Sequence, residues 1–389
     1  MSSRTRLWIL GISTPLIVFA FVGGYFGRAL AQDGTYSHLR VFEDVMSLVL
    51  NNYVEPVDAR QAMGGAMRGL AESLDPDSAF LTPALVSRRE ANDFGGPAEI
   101  GLDVTRQYYL RVVSSRDGSP AARAGIRAGD FIRAIDNRPT RDMSAFEGTR
   151  LLRGAPGTKV SLLVIRGNAA DPHPVDLVRE PAAGPDLASR MAGPSIGYVR
   201  LLQFGPDTPE RLKQEIDALA KTGATRYVID LRSTSRGDID EGLAAARLFV
   251  KSGTLSIRLG RGDQRDPVLA QATDGAVTAP LALLVDVGTS GPAEVFAAAL
   301  DGNGRADLIG TGTLGRAARQ RLIKLPDQSG LWLTDLRYLT PAGAPIHETG
   351  LAPDVAVEPA EIEFGSPAPL PDATLEKAIE HLTASAAAR

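Results

Sequence analysis

Two hydroxyls stand beside a glycine in the segment Gly288-Thr289-Ser290-Gly291-Pro292-Ala293-Glu294. A hydroxyl can attack a carbonyl only if a base removes its proton, and no free base is evident for either one. The plainer reading is a helix start, with Gly291 or Ser290 as cap and Pro292 in the first turn. The four histidines (His38, His173, His347 and His381) are scattered, and none has a metal-ligand spacing such as H-E-x-x-H. The chain has no cysteine, which excludes disulfides, thiolate metal sites and a cysteine nucleophile. These residues argue against a zinc enzyme or a histidine-based hydrolase, so no metal and no cofactor are expected. Gly310-Thr311-Gly312-Thr313-Leu314-Gly315 fits the dinucleotide pattern G-x-G-x-x-G after a short predicted strand. It falls late in the chain, and no following strand ends in an acid at the usual distance, so a dinucleotide site is not expected.

The elements that must position these residues alternate between strand and helix. Ile196–Leu202 reads as a strand. Thr208 is the expected cap of a helix with Pro209 at its first position and Leu212, Ile216 and Leu219 on its apolar face. A strand at Tyr227–Leu231, a helix at Gly242–Val250 and a strand at Leu281–Val287 follow. An alanine-rich helix over Pro292–Leu300 and strands at Asp307–Ile309 and Gly330–Leu339 complete an α/β core. In such a core the site lies where strands feed helices. Upstream, Ala182–Pro194 reads as a linker. Residues 98–168 read as short strands at Leu110–Val113, Phe131–Ile135 and Val160–Ile165. Among them is a short helix that Ser119 caps and Gly125 ends. Helices are expected over Val41–Tyr53 and Ala62–Leu74, with a boundary near Phe94–Pro97. The expected division is 36–95 helical, 96–170 a small α+β domain, 185–360 the α/β core, and 361–389 a tail with a short helix.

Composition fits that plan. A chain of 389 residues with 44% apolar content has room for two to three cores at ~150 residues each. The 42 basic and 46 acidic side chains give a net charge of −4, which offers no electrostatic reason to expect a nucleic-acid partner. At the N-terminus, Arg4 and Arg6 precede an uncharged run of 21 residues from Leu7 to Gly27. That run suffices to cross a hydrocarbon core of ~30 Å. Ala29-Leu30-Ala31 then offers a signal-peptidase pattern. Residues 1–32 are expected to be a signal peptide or a single membrane anchor, with the rest outside the cytoplasm.

From about His38 to Pro359 the chain resembles the C-terminal processing (tail-specific) serine protease family. The resemblance rests on Asn52-Tyr53-Val54, the Leu-Asp-Pro-x-Ser run at Leu74–Ser78, and Gly118-Ser119-Pro120-Ala121 through Gly129-Asp130. It continues with Arg153-Gly154-x-x-Gly157-Thr158, Asp230-Leu231-Arg232, Ala293-Glu294-Val295 and Gly304-Arg305-Ala306. Arg337-Tyr338-x-Thr340-Pro341-x-Gly343 and Gly350-Leu351-Ala352-Pro353-Asp354-Val355 close it. The order and spacing carry more than any single motif. What it implies is a crotonase-like α/β peptidase core, an embedded PDZ domain over 96–170 and a helical cap before it.

Active members of that family use a serine nucleophile, in a run like G-S-A-S-A-S-E, and a lysine base 25 positions later. Aligned on Glu294, the resemblance puts Gly291 at the nucleophile, Arg316 at the lysine and Gln320 at an orienting glutamine. Glycine cannot form an acyl-enzyme, and arginine keeps its proton. The oxyanion loop, roughly N-N-P-G-G in the family, is here Ser233-Thr234-Ser235-Arg236-Gly237. Arginine in place of glycine is expected to strain that loop and mis-aim its N–H donors. Ser290, the possible substitute, is one residue early, which turns its side chain by ~100° around a helix. Arg316 is expected to pair with an acidic neighbour, with a substrate carboxylate as the second reading.

For the PDZ segment the resemblance implies capture of a peptide C-terminus near Glu99-Ile100-Gly101-Leu102, with Ile100 and Leu102 lining an apolar pocket. The charge of Glu99 would repel a carboxylate if it pointed inward. The reading is an exported, catalytically degenerate homologue that binds peptide C-termini or partner proteins, an active protease relative among them. The alternative is a working serine endopeptidase that uses Ser290 or Thr289.

Overall fold

A computed structural model of the protein describes residues 34–167, 172–182, 184, 186–359, 362–366 and 371–387. The expected N-terminal signal or anchor lies outside them, and no described helix is long and apolar enough to cross a membrane. The chain divides into two units, residues 1–69 and 70–389. In the first, the helix Gly34–Asn52 ends with the Asn51 and Asn52 amides donating back to the Ser47 and Leu48 carbonyls. Asp58 opens the next helix, Ala59–Glu72, by accepting the Arg60 N–H at 2.8 Å.

The second unit is built on a six-stranded sheet in the order 187–193, 196–201, 226–230, 281–285, 306–310, 355–356. Every pair is parallel except the first. Both faces are apolar, because side chains alternate along each strand and each face has a cover. Tyr227, Ile229, Leu281, Leu283 and Val285 pack on one side, against helices Thr208–Lys221, Ile239–Ala246 and Pro292–Asp301. Val228, Ala282 and Leu284 pack on the other, against Ala378 and Leu382 of the last helix, Ala373–Ala387. A second sheet joins 79–81, 330–339, 254–259 and 265–269, with 318–324 alongside 330–339.

Two local expectations need correction. Ala182–Pro194 is not a linker throughout: Leu187–Gly193 pairs antiparallel with Ile196–Leu201 and closes one edge of the sheet. The turn at Pro194-Ser195 masks that hairpin, since proline and serine there read as loop. Thr208 is the first helical residue and not the cap; Asp207 precedes it, and the Thr208 hydroxyl accepts the Gly205 N–H at 2.8 Å.

The inserted small domain is an antiparallel sheet in the order 102–107, 109–115, 131–135, 159–165, 173–178. Its last strand, His173–Val178, lies beyond residue 170, and Ala98-Glu99 pairs with Glu180-Pro181 at the domain's root. Helix Pro120–Arg123 is capped by Ser119, as its sequence predicts. Helix Ala145–Leu152, capped by Ser144, lies against strand 102–107.

Candidate active site

The turn after strand 281–285 is fixed by Asp286, whose carboxylate accepts N–H groups of Ser233 at 2.8 Å and Gly288 at 2.9 Å. Gly291 then caps the helix Pro292–Asp301 with φ 59° and ψ −119°, a conformation that glycine adopts without strain. A Cβ built there would meet one atom within 4 Å, the Ser235 carbonyl oxygen at 3.5 Å. Ser290 and Thr289, the two hydroxyls of this turn, are both completely buried. The Thr289 hydroxyl donates to the Leu231 carbonyl at 2.9 Å, and the Ser290 hydroxyl has no protein partner.

Glu294 joins this turn to the segment that carries Arg316. Its carboxylate is fully buried and accepts four hydrogen bonds. Oε1 takes the Thr313 hydroxyl at 2.5 Å and the Gly315 N–H at 2.6 Å. Oε2 takes the Gly291 N–H at 3.1 Å and the Arg316 N–H at 2.7 Å. Gly291 and Arg316, 25 positions apart, therefore donate to one oxygen atom. Burial pushes the Glu294 carboxyl above the usual range, against the pull of Thr313 and the three N–H groups.

The Arg316 guanidinium turns to two acids. Its Nη2 is 2.9 Å from Asp77 Oδ1, its Nε is 3.1 Å from the same oxygen, and its Nη1 is 3.4 Å from Asp103 Oδ2. Burial opposes the charge, but Asp77 and Asp103 push the Arg316 pKa above the ordinary arginine value. Burial likewise opposes ionisation of Asp77, yet the Arg316 charge and the Thr105 hydroxyl hold it below the usual carboxylate range. Pairing of Arg316 with acids is thus the arrangement observed. Gln320 sits apart, on strand 318–324, and its amide donates to the Thr334 hydroxyl at 3.3 Å and not to Arg316.

The loop Ser233–Gly237 borders the same turn, through a Ser290 N–H to Thr234 carbonyl bond of 3.0 Å. The strain expected at Arg236 is absent. Ser233 takes the left-handed conformation (φ 52°) and Gly237 has φ 119°, while Arg236 is not among the positive-φ residues. Only glycine fits at 237, where a Cβ would stand 2.1 Å from the Phe204 carbonyl oxygen. The Arg236 side chain leaves the loop and pairs with Glu99 Oε1 at 2.6 Å. Ile100 and Leu102 are buried in the small domain's core and also line a cavity there. Gly101 has φ 83°, and a Cβ there would clash with Ser119. Glu99 is buried and also lines that cavity, where its carboxylate pairs with Arg236. Ser235, hydrogen-bonded to both Ser114 (2.6 Å) and Asp103 (2.7 Å), adds to the seam between the domains.

Asp77 and Asp103, and the part Glu294 plays as the shared acceptor of both segments, are what motif reasoning missed. Glu294 left a signal, a lone acid in the apolar run Pro292–Leu300. Asp77 occupies the variable position of Leu-Asp-Pro-x-Ser, and Asp103 has no sequence signal at all. Asp230 and Arg232 prove to be structural: Arg232 bridges buried Asp230 (2.5 Å) and Asp372 (2.7 Å) in front of the last helix. In the described residues no group of three or more acids and histidines could hold a metal ion. The glycine pattern 310–315 is followed by strand 318–324, not by the helix that a dinucleotide site requires.

His347 is 5% exposed, and neither ring nitrogen has a protein partner. Burial holds its pKa below the ordinary value of 6.5, although Asp77 pulls it up. The unfolded chain then binds a proton that the folded chain refuses, so stability is full above pH ~6.5 and is lost as pH falls through the folded value. His347 is expected to contribute a fall in melting temperature from pH 7 to 5, set against the opposite contribution of Asp301, whose carboxyl burial pushes up to about 6. In the His347→Leu variant that slope is expected to flatten, and an unchanged slope would remove His347 as its cause.

The turn that opens helix Pro292–Asp301 lies against the Ser233–Gly237 loop, and that loop touches the inserted antiparallel domain through Arg236 and Ser235. The model of peptidase family S41 matches residues 195–357, and that of the PDZ domain matches 111–166. A carboxy-terminal-processing protease of Bartonella bacilliformis is 32% identical over 84% of this chain and 76% of its own length. One from Synechocystis is 29% identical over 91% of this chain and 84% of its own. Among solved structures, a photosystem II D1 C-terminal processing protease superposes with a TM-score of 0.70 at 29% identity, covering 80% of this chain and 85% of that one. The chain belongs to the carboxy-terminal-processing protease family, with an α/β core and an α+β PDZ insertion.

Proposed function

We propose that this chain is a catalytically degenerate member of its family. It would bind peptide C-termini or partner proteins through the PDZ domain and the former cleft, and regulate or supply an active relative. The observation that carries the reading is Arg316, ion-paired to Asp77 and Asp103 at the position the resemblance gives to the base. A cation held that firmly cannot accept a proton, and Gly291 offers no atom to acylate. The crotonase-like form of the core and an exported location, tethered or cleaved, belong to this proposal; homology to the carboxy-terminal-processing proteases bears on the location, and the run Leu7–Gly27 with Ala29-Leu30-Ala31 is its sequence support.

A second reading, a working serine endopeptidase, has its own support, because the relatives are named as proteases. Against it, Ser290 and Thr289 have no exposed surface from which to reach a substrate. The test incubates the natural protein and Ser290→Ala with an unfolded protein and with peptides that have apolar C-termini. No cleavage by either, with peptide binding retained, is the expected result. Cleavage by the natural protein that Ser290→Ala abolishes would establish the second reading.

A further inference from the structure

Strand Leu102–Gln107 and helix Ala145–Leu152 border a cavity of about 140 Å³, lined by Glu99, Ile100, Leu102, Thr149, Leu152 and Arg236 among others. The strand pairs with Tyr109–Ser115 along one edge. The Gly101 carbonyl accepts the Arg116 N–H from that side. Carbonyls alternate along extended backbone, so the Leu102 carbonyl faces the other, unpaired edge. A peptide that joined the sheet there would donate an N–H to it. That bond is already made from within the chain: Arg236 Nη2 donates to the Leu102 oxygen at 3.2 Å, while Nη1 pairs with Glu99. Arg236 occupies the groove as a ligand would.

The occupant's charge identifies what can replace it. Glu99 is 6% exposed, and a carboxylate so buried requires a counter-charge. Arg153 lies at 3.5 Å, and its Nε is engaged with the Gly96 carbonyl. A C-terminal carboxylate brought into the groove would add a second negative charge beside Glu99. A lysine or arginine side chain would restore the charge that Arg236 removes on leaving. The loop backbone need not move, since the Phe204 N–H holds the Arg236 carbonyl at 2.9 Å. We infer that the PDZ groove recognises peptide segments that present a lysine or arginine to Glu99, and that Arg236 is their internal competitor. This rests on the peptide-binding reading of the PDZ domain. It also ties occupancy of the groove to a residue of the loop beside Gly291.

The test uses the whole protein and fluorescein-labelled apolar octapeptides that differ at one central residue: arginine, glutamine or glutamate. Each is made with a free and with an amidated C-terminus. The arginine peptides are expected to bind tightest, with little effect of amidation. Arg236→Ala and Arg236→Gln should each tighten that binding about tenfold, because an internal occupant reduces affinity by the fraction of sites it fills. Glu99→Gln should erase the preference for arginine. Unchanged affinity in both Arg236 variants would overturn the inference and leave peptide binding standing. Binding that demands a free carboxylate whatever the central residue would do the same. Failure of every peptide to bind either variant, with melting as in the natural protein, would overturn the peptide-binding reading itself.

Discussion

A chain carrying Gly291→Ser, Arg316→Lys and Asp77→Asn together is expected to hydrolyse an unfolded protein that the natural chain leaves intact. A seryl side chain has room at 291, since its Cβ meets only the Ser235 carbonyl oxygen at 3.5 Å. The backbone there, at φ 59° and ψ −119°, costs a non-glycine residue about 1–3 kcal/mol. Gly291→Ser alone should therefore unfold at lower denaturant and cleave nothing, because Arg316 keeps its proton. Adding Arg316→Lys places an ammonium against Asp77, whose negative charge holds it protonated. That double variant should be slow at neutral pH and gain rate as pH rises. Asp77→Asn removes the charge and leaves burial to depress the lysine pKa, although Asp103 still opposes it. The range is wide, as removing the nucleophile of a serine protease costs ~10⁶ in turnover. A folded triple variant that stays silent at every pH would mean that the Ser233–Gly237 loop no longer supplies oxyanion donors.

Glu294→Ala should cause the largest loss of stability, on the order of 4 kcal/mol, read from urea unfolding. It strands three N–H groups and one hydroxyl in a buried site, each costing ~1–3 kcal/mol if no other partner is found. Glu294→Gln separates charge from hydrogen bonding. With its amide nitrogen at the Oε1 position, the Thr313 hydroxyl can reverse and accept, which leaves the Gly315 N–H unmet and the Thr313 proton without its acceptor, while the Gly291 and Arg316 N–H groups keep theirs. Its cost should be about half that of the alanine variant. A pH profile adds a second readout. Because burial raises the Glu294 pKa, its contribution is fully present below its ordinary value of 4.5 and is lost as pH rises through the folded value. Glutamine cannot titrate, so that slope should vanish. An alanine variant within ~1 kcal/mol of the natural chain would show that water replaces the carboxylate without loss.

Much of the fold was legible because its signals are local. Phe131–Ile135 and Gly330–Leu339 are strands as read, and Pro292 opens a helix beside Gly291 as read. Leu187–Gly193 was not legible, since its strand character comes from pairing with Ile196–Leu201 and not from its own composition. At the site, Gly291, Arg316 and the Ser233–Gly237 loop do come together. The acids that decide its electrostatics were invisible, because Asp77 and Asp103 lie 239 and 213 positions from Arg316. Spacing rules reach one turn of helix, not across domains. The same holds for Arg236, where backbone strain was expected and a side-chain contact 137 positions away is found instead.

The cover of the central sheet also determines when this chain can finish folding. Strands through Ala306–Gly310 supply nearly all of the sheet, yet Val228, Ala282 and Leu284 are shielded by Ala378 and Leu382. During synthesis that apolar face stays open to water until Ala378 and Leu382 have emerged. Contacts so distant in sequence form late and slowly, and an unshielded sheet invites wrong partners meanwhile. That face is shut once the last helix packs on it and Arg232 closes its bridge to Asp372.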